Sequence, residues 1–361
     1  MPRLLVNLQK LRHNIDFLRK YCSSKSLELV GVLKCAHAVP LLVETFQAGE
    51  IPAIAFSRVR TVTRLTAVLK EKPLLIGLPS PAEAVEVVQY CAASFHSEIS
   101  TIRELAHAAE GCSHQHGIYL IVDIGDLREG VLPEQAVDQV RESLPLFNGH
   151  LTFLGLAANL GCASGTLPDE RNLHLLHDLA EEVEQQLGIQ VSKLSVGGTV
   201  VYPWLQKNIL PSRINQLRMG EGILCGHAPG YNLKLEGFFD DVFIFQGMVL
   251  EVKEKVSPPP GHKGLDALGH SPSMGPSGCR KRAILNFGLV DTRRMGLTPC
   301  LPGLQIVTSN SEYTVVDITE CPENIRVGDV IEFKTNYEAM TQALLSPFVQ
   351  VIPVEKINHT P

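Results

Sequence analysis

The chain predicts an α/β fold, a (β/α)8 TIM-type barrel followed by a mainly β domain, and three observations carry that prediction. Short runs of β-branched and aliphatic residues alternate with helix-like stretches from the N-terminus to about residue 235. Beyond that point the texture changes to longer strand-like runs divided by Pro/Gly-rich turns. A doubly wound open sheet, the competing arrangement, would need fewer strands and a dinucleotide fingerprint, and the sequence shows none.

The elements follow in order. After a short strand-like start, RLLVN, Asn7 is a plausible N-cap for a helix in which Leu8, Leu11, Ile15 and Leu18 share one face. Apolar runs then fall at Glu28–Leu33, Ala53–Phe56, Leu74–Gly77, Ala92–Phe95, Ile118–Val122, Phe153–Leu156, Lys193–Val196 and Gln216–Leu217. Helix-like segments lie between most of them, among them Pro81–Tyr90, Ile99–Ala109, Pro133–Glu142 and Asn172–Leu187. Eight strand-and-crossover units are what closing the barrel requires. The expected domains are a barrel over residues 8–234 and a β domain over 235–361, with residues 1–7 joining the latter. Within it, Ser257–Cys279 is rich in Gly, Pro, Ser and His and has no period, so it reads as a long loop or flap.

Composition narrows the function. The 361 residues carry a formal net charge of −6 and are 45% hydrophobic, the profile of a soluble globular protein. No apolar run nears the roughly 20 residues needed to span a bilayer, and no signal peptide is evident, so the cytoplasm is the expected compartment. Basic residues are outnumbered 32 to 38, with no basic run interleaved with aromatics, which argues against a nucleic-acid partner. Nine cysteines are scattered singly and read as buried reduced thiols, not as a zinc cluster or disulfide framework. His262 and His270 have no ligand spacing, so no metal is expected.

Chemistry in such a barrel collects at the carboxyl ends of the strands. There the first run ends on Lys34 and the second on Ser57-Arg58, while DIGDLREG follows the fifth, AANLGCASG the sixth, GGT the seventh and RMGEG the eighth. The glycine turns after the last two strands make Gly197, Gly198, Thr199, Gly220 and Glu221 a candidate phosphate cradle. Strand eight of a closed barrel lies beside strand one, which brings Arg218 to the same mouth as Lys34. A lysine enclosed at the end of an apolar strand, near a cation, drifts towards the neutral amine that attacks carbonyls. A phosphorylated aldehyde satisfies both lysine and cradle, and pyridoxal 5′-phosphate is such a molecule. A lysine snorkelling to solvent is the plainer alternative from the strand alone.

At this point the motifs VGVLK, VDIGDLREG, LGLAANLGC, LSVGG, RINQLRMGEGILCG and RAILNFGLVDTRRMGL resemble the alanine/ornithine racemase family of fold type III pyridoxal phosphate enzymes, in order and over nearly the whole chain. The resemblance implies that Lys34 anchors the cofactor covalently and serves as one catalytic base. It implies that Arg218 meets the pyridine nitrogen, leaving that nitrogen unprotonated and the ring a weaker electron sink, which favours simple proton return over transamination. Gly198, Thr199, Gly220, Glu221 and Tyr337 would hold the phosphate, while Arg128 and Asn159 would lie near the substrate carboxylate and the ring.

The departures from the family pattern are informative. The tyrosine that alanine racemases use as second base is replaced by Leu289, as in ornithine-type relatives, which leaves Asp291 and Tyr313 as candidate catalytic groups for the opposite face. GGTVV stands where relatives usually have GGNSS, and Glu312-Tyr313 where they have an Asp-His pair. The resemblance further implies a homodimer with shared active sites, in which Asp291, Glu312 and Tyr313 act on the partner's cofactor. Acidic groups at the mouth, Glu98, Asp126, Glu129 and Glu312, suit a basic amino acid such as ornithine or lysine; alanine is the other candidate. Each of the four reads more simply as a solvated loop carboxylate. Two alternatives stay open: a non-catalytic pyridoxal phosphate-binding homeostasis protein, and a D-amino-acid aldolase or dehydratase of the same fold.

Overall fold

The structure, a computed structural model, describes residues 1–36, 39–265, 269, 271 and 275–355. His270 lies outside the described residues, and His262 is exposed. Two compact units emerge, Arg12–Phe238 and a second made of Met1–Leu11 with Phe239–Pro361.

Strand β1 (Arg3–Asn7) leads directly into helix α1 (Leu8–Ser24). Asn7 stops the strand and starts the helix, because its Oδ1 accepts the Lys10 N–H at 3.0 Å and satisfies one of the free amides of the first turn. Leu11, Ile15 and Leu18 recur on one face and are fully buried.

The barrel strands are β2 (Glu28–Val32), β3 (Ala53–Phe56), β4 (Leu74–Leu75), β5 (Ala93–His96), β6 (His116–Ile121), β7 (Leu151–Asn159), β8 (Lys193–Gly197) and β9 (Gln216–Met219), all parallel and closed on themselves. Helices α2 (Pro40–Ala48), α3 (Val59–Leu65), α4 (Ala84–Tyr90), α5 (Ile99–Cys112), α6 (Ala136–Ser143), α7 (Glu170–Leu187) and α8 (Val201–Leu205) lie in the crossovers, and α9 (Glu221–Cys225) follows the last strand. The strands read as near-continuous apolar runs because both faces are covered; every residue of β6 is buried. Val30, Val32, Ala55, Ala93, Phe95, Tyr119, Ile121 and Ala157 form one packed cluster in the interior. Closure comes from β2 pairing with β9, where Val30 sits opposite Arg218, so the first and last strands end side by side.

After a two-strand ribbon of β10 (His227–Ala228) and β11 (Leu233–Lys234), the second unit begins with the long strand β12 (Phe243–Ser257). With β13 (Gly278–Leu285), β14 (Leu297–Pro299), β15 (Gln305–Ser309), β16 (Thr314–Asp317) and β17 (Val330–Thr335) it builds a sheet in the order β14-β17-β12-β13-β16-β15. β1 joins it, antiparallel to β12 and parallel to β18 (Gln350–Val354), after helix α10 (Tyr337–Leu345). Phe245, Phe287 and Phe333 fill its centre edge to face, at centroid separations of 4.8 and 5.7 Å. β12 and β13 pair as far as Ser257 and Gly278, so strand takes up both ends of the stretch expected as a loop or flap, and residues 266–268, 270 and 272–274 of it lie outside the described residues.

All nine cysteines are free, but the expectation that they are buried holds only for Cys22, Cys35, Cys91 and Cys225; Cys112, Cys162, Cys279 and Cys300 are exposed and Cys321 is half-buried. No described helix is long and apolar enough to cross a membrane.

Candidate active site

A cavity of about 330 Å³ opens among the residues that follow the barrel strands, and Lys34, Phe95, Arg128, Glu129, Asn159 and Arg218 are among its lining. Five residues named from the sequence, Lys34, Arg128, Glu129, Asn159 and Arg218, drawn from four separate segments of the chain, therefore share one pocket. Lys34 differs from expectation in its setting. β2 stops at Val32, Lys34 opens a 3-10 turn (Lys34–Ala36), and its side chain is exposed, so the apolar enclosure anticipated for it is absent.

Arg218 is the enclosed cation, 6% exposed. One NH2 group donates to the Ala158 carbonyl at 2.8 Å, the other to Ser195 Oγ at 2.6 Å, and Cζ sits 4.9 Å above the Phe95 ring. Burial drags its guanidinium down to about 10.

Asp126 holds two residues of the pocket lining, Asn159 and Arg128, and corrects the reading of it as a solvated loop carboxylate: it is 2% exposed. Its Oδ1 accepts the backbone N–H groups of Cys162 at 2.8 Å and Ala163 at 3.0 Å, and Oδ2 accepts Asn159 Nδ2 at 3.2 Å. Arg128 Nε lies 3.6 Å from the same oxygen. Burial pushes the Asp126 carboxyl up, but these donors and the Arg128 charge outweigh it and hold the group below its ordinary value. Arg128 is also paired with Glu129, through NH2 to Oε1 at 2.6 Å. Burial opposes the Arg128 charge, yet the carboxylates beside it raise its pKa. Glu129 thus lines the pocket already partnered.

The glycine turns after β8 and β9 are fastened together. Gly198 N–H donates to the Arg218 carbonyl at 3.2 Å, and Gly222 N–H donates to Thr199 Oγ1 at 3.2 Å. Gly198 has φ +119°, and a Cβ there would fall 2.4 Å from the Leu160 carbonyl oxygen. A Cβ at Gly220 would stand 2.6 Å from the Val32 carbonyl oxygen, so neither turn could pass so close to the neighbouring strand end with a side chain. Glu221 follows as the first residue of α9. Burial lifts its carboxyl to about 7, against the pull of Lys34.

The remaining candidates lie in the second unit. Turns 288–291 and 310–313 are bound to each other by Leu289 N–H to the Asn310 carbonyl at 2.9 Å and Val290 N–H to the Ser311 carbonyl at 3.2 Å. Asp291, Glu312 and Tyr313 are thereby gathered. Asp291 is buried and accepts the Gly288 N–H at 3.0 Å, which makes it a clamp of its own turn; burial raises its pKa. Tyr313 is 46% exposed and Glu312 is exposed. Tyr337 is the first residue of α10, capped by Asn336.

Sequence reasoning missed Phe95, Ser195, Gln216 and Tyr119 behind Arg218. The available signal was polar residues at inward, alternate positions of strands otherwise built from Leu and Val.

The fold and pocket define a class: a barrel with a lysine just past its first strand and an arginine on its last, carried on the same chain as a β domain. Residues 6–228 match the family described as "Alanine racemase, N-terminal domain", and the chain belongs to that family. It is 31% identical over 350 residues to an ornithine racemase of Acetoanaerobium sticklandii, covering 97% of this chain and 98% of the relative. It is 32% identical over 352 residues to a lysine racemase of Thermotoga maritima, again covering 97% and 98%. Among solved structures, the fold matches alanine racemase from Streptomyces coelicolor with a TM-score of 0.76 at 16% identity, covering 98% of each chain.

Proposed function

We propose that the chain is a pyridoxal 5′-phosphate-dependent racemase of basic amino acids, ornithine or lysine, working as a homodimer with shared active sites. The observation that carries this reading is the convergence of Lys34, Arg218, Arg128 and Asn159 on one cavity. The ornithine and lysine racemases to which the chain is similar over its full length support the substrate class.

The residues present fit the cofactor. The cavity, about 330 Å³, is of the size that takes a small ligand. Gly198 and Gly220 leave backbone where side chains would intrude, as a phosphate cradle needs. Bound pyridoxal phosphate supplies an electron sink that acidifies the Cα–H bond of an amino acid. Lys34 Nζ would anchor it covalently, and would take or return the Cα proton on one face. Arg218 would meet the ring nitrogen. Gly198, Thr199, Gly220, Glu221 and Tyr337 would hold the phosphate. Arg128 and Asn159, steadied by Asp126, take the substrate carboxylate and the ring, and Glu312 takes the side-chain ammonium. Of the two candidates for the opposite face, Tyr313 is the accessible acid or base, Asp291 being occupied in its turn.

Purified protein incubated with pyridoxal phosphate should gain a visible absorption band that Lys34→Ala abolishes. It should then exchange the α-proton of L-ornithine and L-lysine with deuterated solvent faster than that of L-alanine. A missing band, or one that survives Lys34→Ala, overturns the cofactor assignment. A band without exchange on any amino acid of a panel replaces the racemase with a non-catalytic binding protein.

A further inference from the structure

Behind Arg218 the barrel interior contains a polar circuit that the roles above leave unused. A guanidinium only donates, so Ser195 Oγ accepts from Arg218 NH1 at 2.6 Å and must send its own O–H onward, to Gln216 Oε1 at 2.6 Å. That fixes the orientation of the Gln216 amide. Its Nε2 donates to Glu28 Oε1 and to Tyr119 Oη, each at 3.2 Å. Glu28 ends the path in an ion pair with Lys193. A return path closes the loop: Tyr119 stacks on Phe95 with centroids 4.3 Å apart, and Arg218 rides above that same ring.

The strand register produces this arrangement. Gln216 sits opposite Ser195 on β8 and opposite Glu28 on β2, and Arg218 follows Gln216 by one strand period. Ser195, Gln216 and Tyr119 are 0%, 1% and 2% exposed. Polar groups so deep are costly unless every donor finds its acceptor, and bulky aliphatic side chains are the usual filling of a barrel. Turning the Gln216 amide over would set its oxygen against the Glu28 carboxylate and leave the Ser195 hydroxyl facing N–H donors. The bonds therefore run in one sense, from Arg218 to Glu28.

We propose that Ser195 and Gln216 are positioning residues that couple the guanidinium of Arg218 to Glu28, stop it turning about its C–N bonds and keep its remaining N–H groups aimed into the pocket. The inference rests on the reading of Arg218 as the partner of the cofactor's ring nitrogen, and it adds the residues that give that arginine its fixed attitude.

Nitrogen NMR of the full-length, cofactor-free chain tests it, with the Arg218 signals assigned by Arg218→Lys. In the wild type, hindered rotation keeps the two NH2 groups of Arg218 as separate resonances. Gln216→Leu and Ser195→Ala merge them, whereas Ser94→Ala, which removes a buried hydroxyl from the opposite face of β5, leaves them apart. On adding pyridoxal phosphate, Gln216→Leu weakens binding about tenfold and moves the pH midpoint of the visible band, which Ser94→Ala does not, although both lower the thermal midpoint. Separate resonances persisting in Gln216→Leu, or merged resonances in the wild type, overturn the inference. If the wild type takes up no pyridoxal phosphate, the cofactor assignment falls, while the resonances still decide what Ser195 and Gln216 do.

Discussion

Asp126 shows how much a single residue can organise. Two backbone amides, the Asn159 amide and the Arg128 guanidinium all address one buried carboxylate, so the loop after β7 and the loop after β6 share a fastening. Asp126→Ala strands those donors, and we expect it to lower the unfolding free energy by about 2–4 kcal/mol, read from urea denaturation at pH 7. Its folded pKa is depressed, so the stability it contributes is present above the unfolded value of 3.8 and is lost as pH falls through the folded value. The same variant should raise KM for the amino acid more than it lowers kcat, because Arg128 and Asn159 lose their orientation. The sequence concealed this residue. In DIGDLREG a carboxylate followed by Leu-Arg-Glu looks like a solvated turn, and its principal partners are backbone amides 36 and 37 residues further along. Lys34 was legible by position but not by surroundings, since the 3-10 turn that exposes it begins only after the apolar run has ended.

At the scale of elements, the wall between β5 and β6 holds a histidine pair joined by a serine. Ser94 Oγ lies 2.6 Å from both His96 Nε2 and His116 Nε2, and His116 Nδ1 meets the Cys91 carbonyl at 3.1 Å. Burial drags His96 down to about 3 and His116 to about 4, with each ring 2% exposed or less. Both are neutral when folded, whereas the unfolded chain takes up protons near 6.5. Stability from this pair is thus full above pH 6.5 and falls as pH drops towards 4, by about 1.4 kcal/mol per histidine per pH unit. Denaturant unfolding of the wild type between pH 7 and 4.5 should show that slope, and His96→Leu/His116→Leu should flatten it. An unchanged slope would place the acid sensitivity elsewhere. The strands bearing this pair were readable because continuous apolar runs persist wherever helices cover the sheet. Ala93 and Phe95 carried that signal while Ser94 and His96 pointed the other way. What a run of letters cannot show is pairing register: Ser195, Gln216 and Glu28 are unremarkable singly and become a circuit only when β2, β8 and β9 close side by side.

For the whole molecule, the proposed sharing of active sites between subunits carries its own consequence. If Lys34 of one chain works with Tyr313 of its partner, Lys34→Ala and Tyr313→Phe damage different halves of the same site. Each homodimer should then be nearly inactive. A dimer holding one copy of each variant brings an intact Lys34 to an intact Tyr313 once, and both lesions together at its other site. Random reassociation makes half the dimers mixed, each with one sound site of two, so an equimolar mixture that has exchanged subunits should recover about a quarter of wild-type activity. Restoration should need dissociation and therefore appear slowly, at the rate of dimer dissociation. Were both residues to act within one chain, the mixed dimer would gain nothing and the mixture would stay as inactive as its components. The complementation assay thus separates a shared site from a self-contained one. It also separates Tyr313 from Asp291: Asp291 is buried and clamps its own turn, so Asp291→Ala should lower the thermal midpoint, whereas Tyr313→Phe should remove activity while leaving it in place.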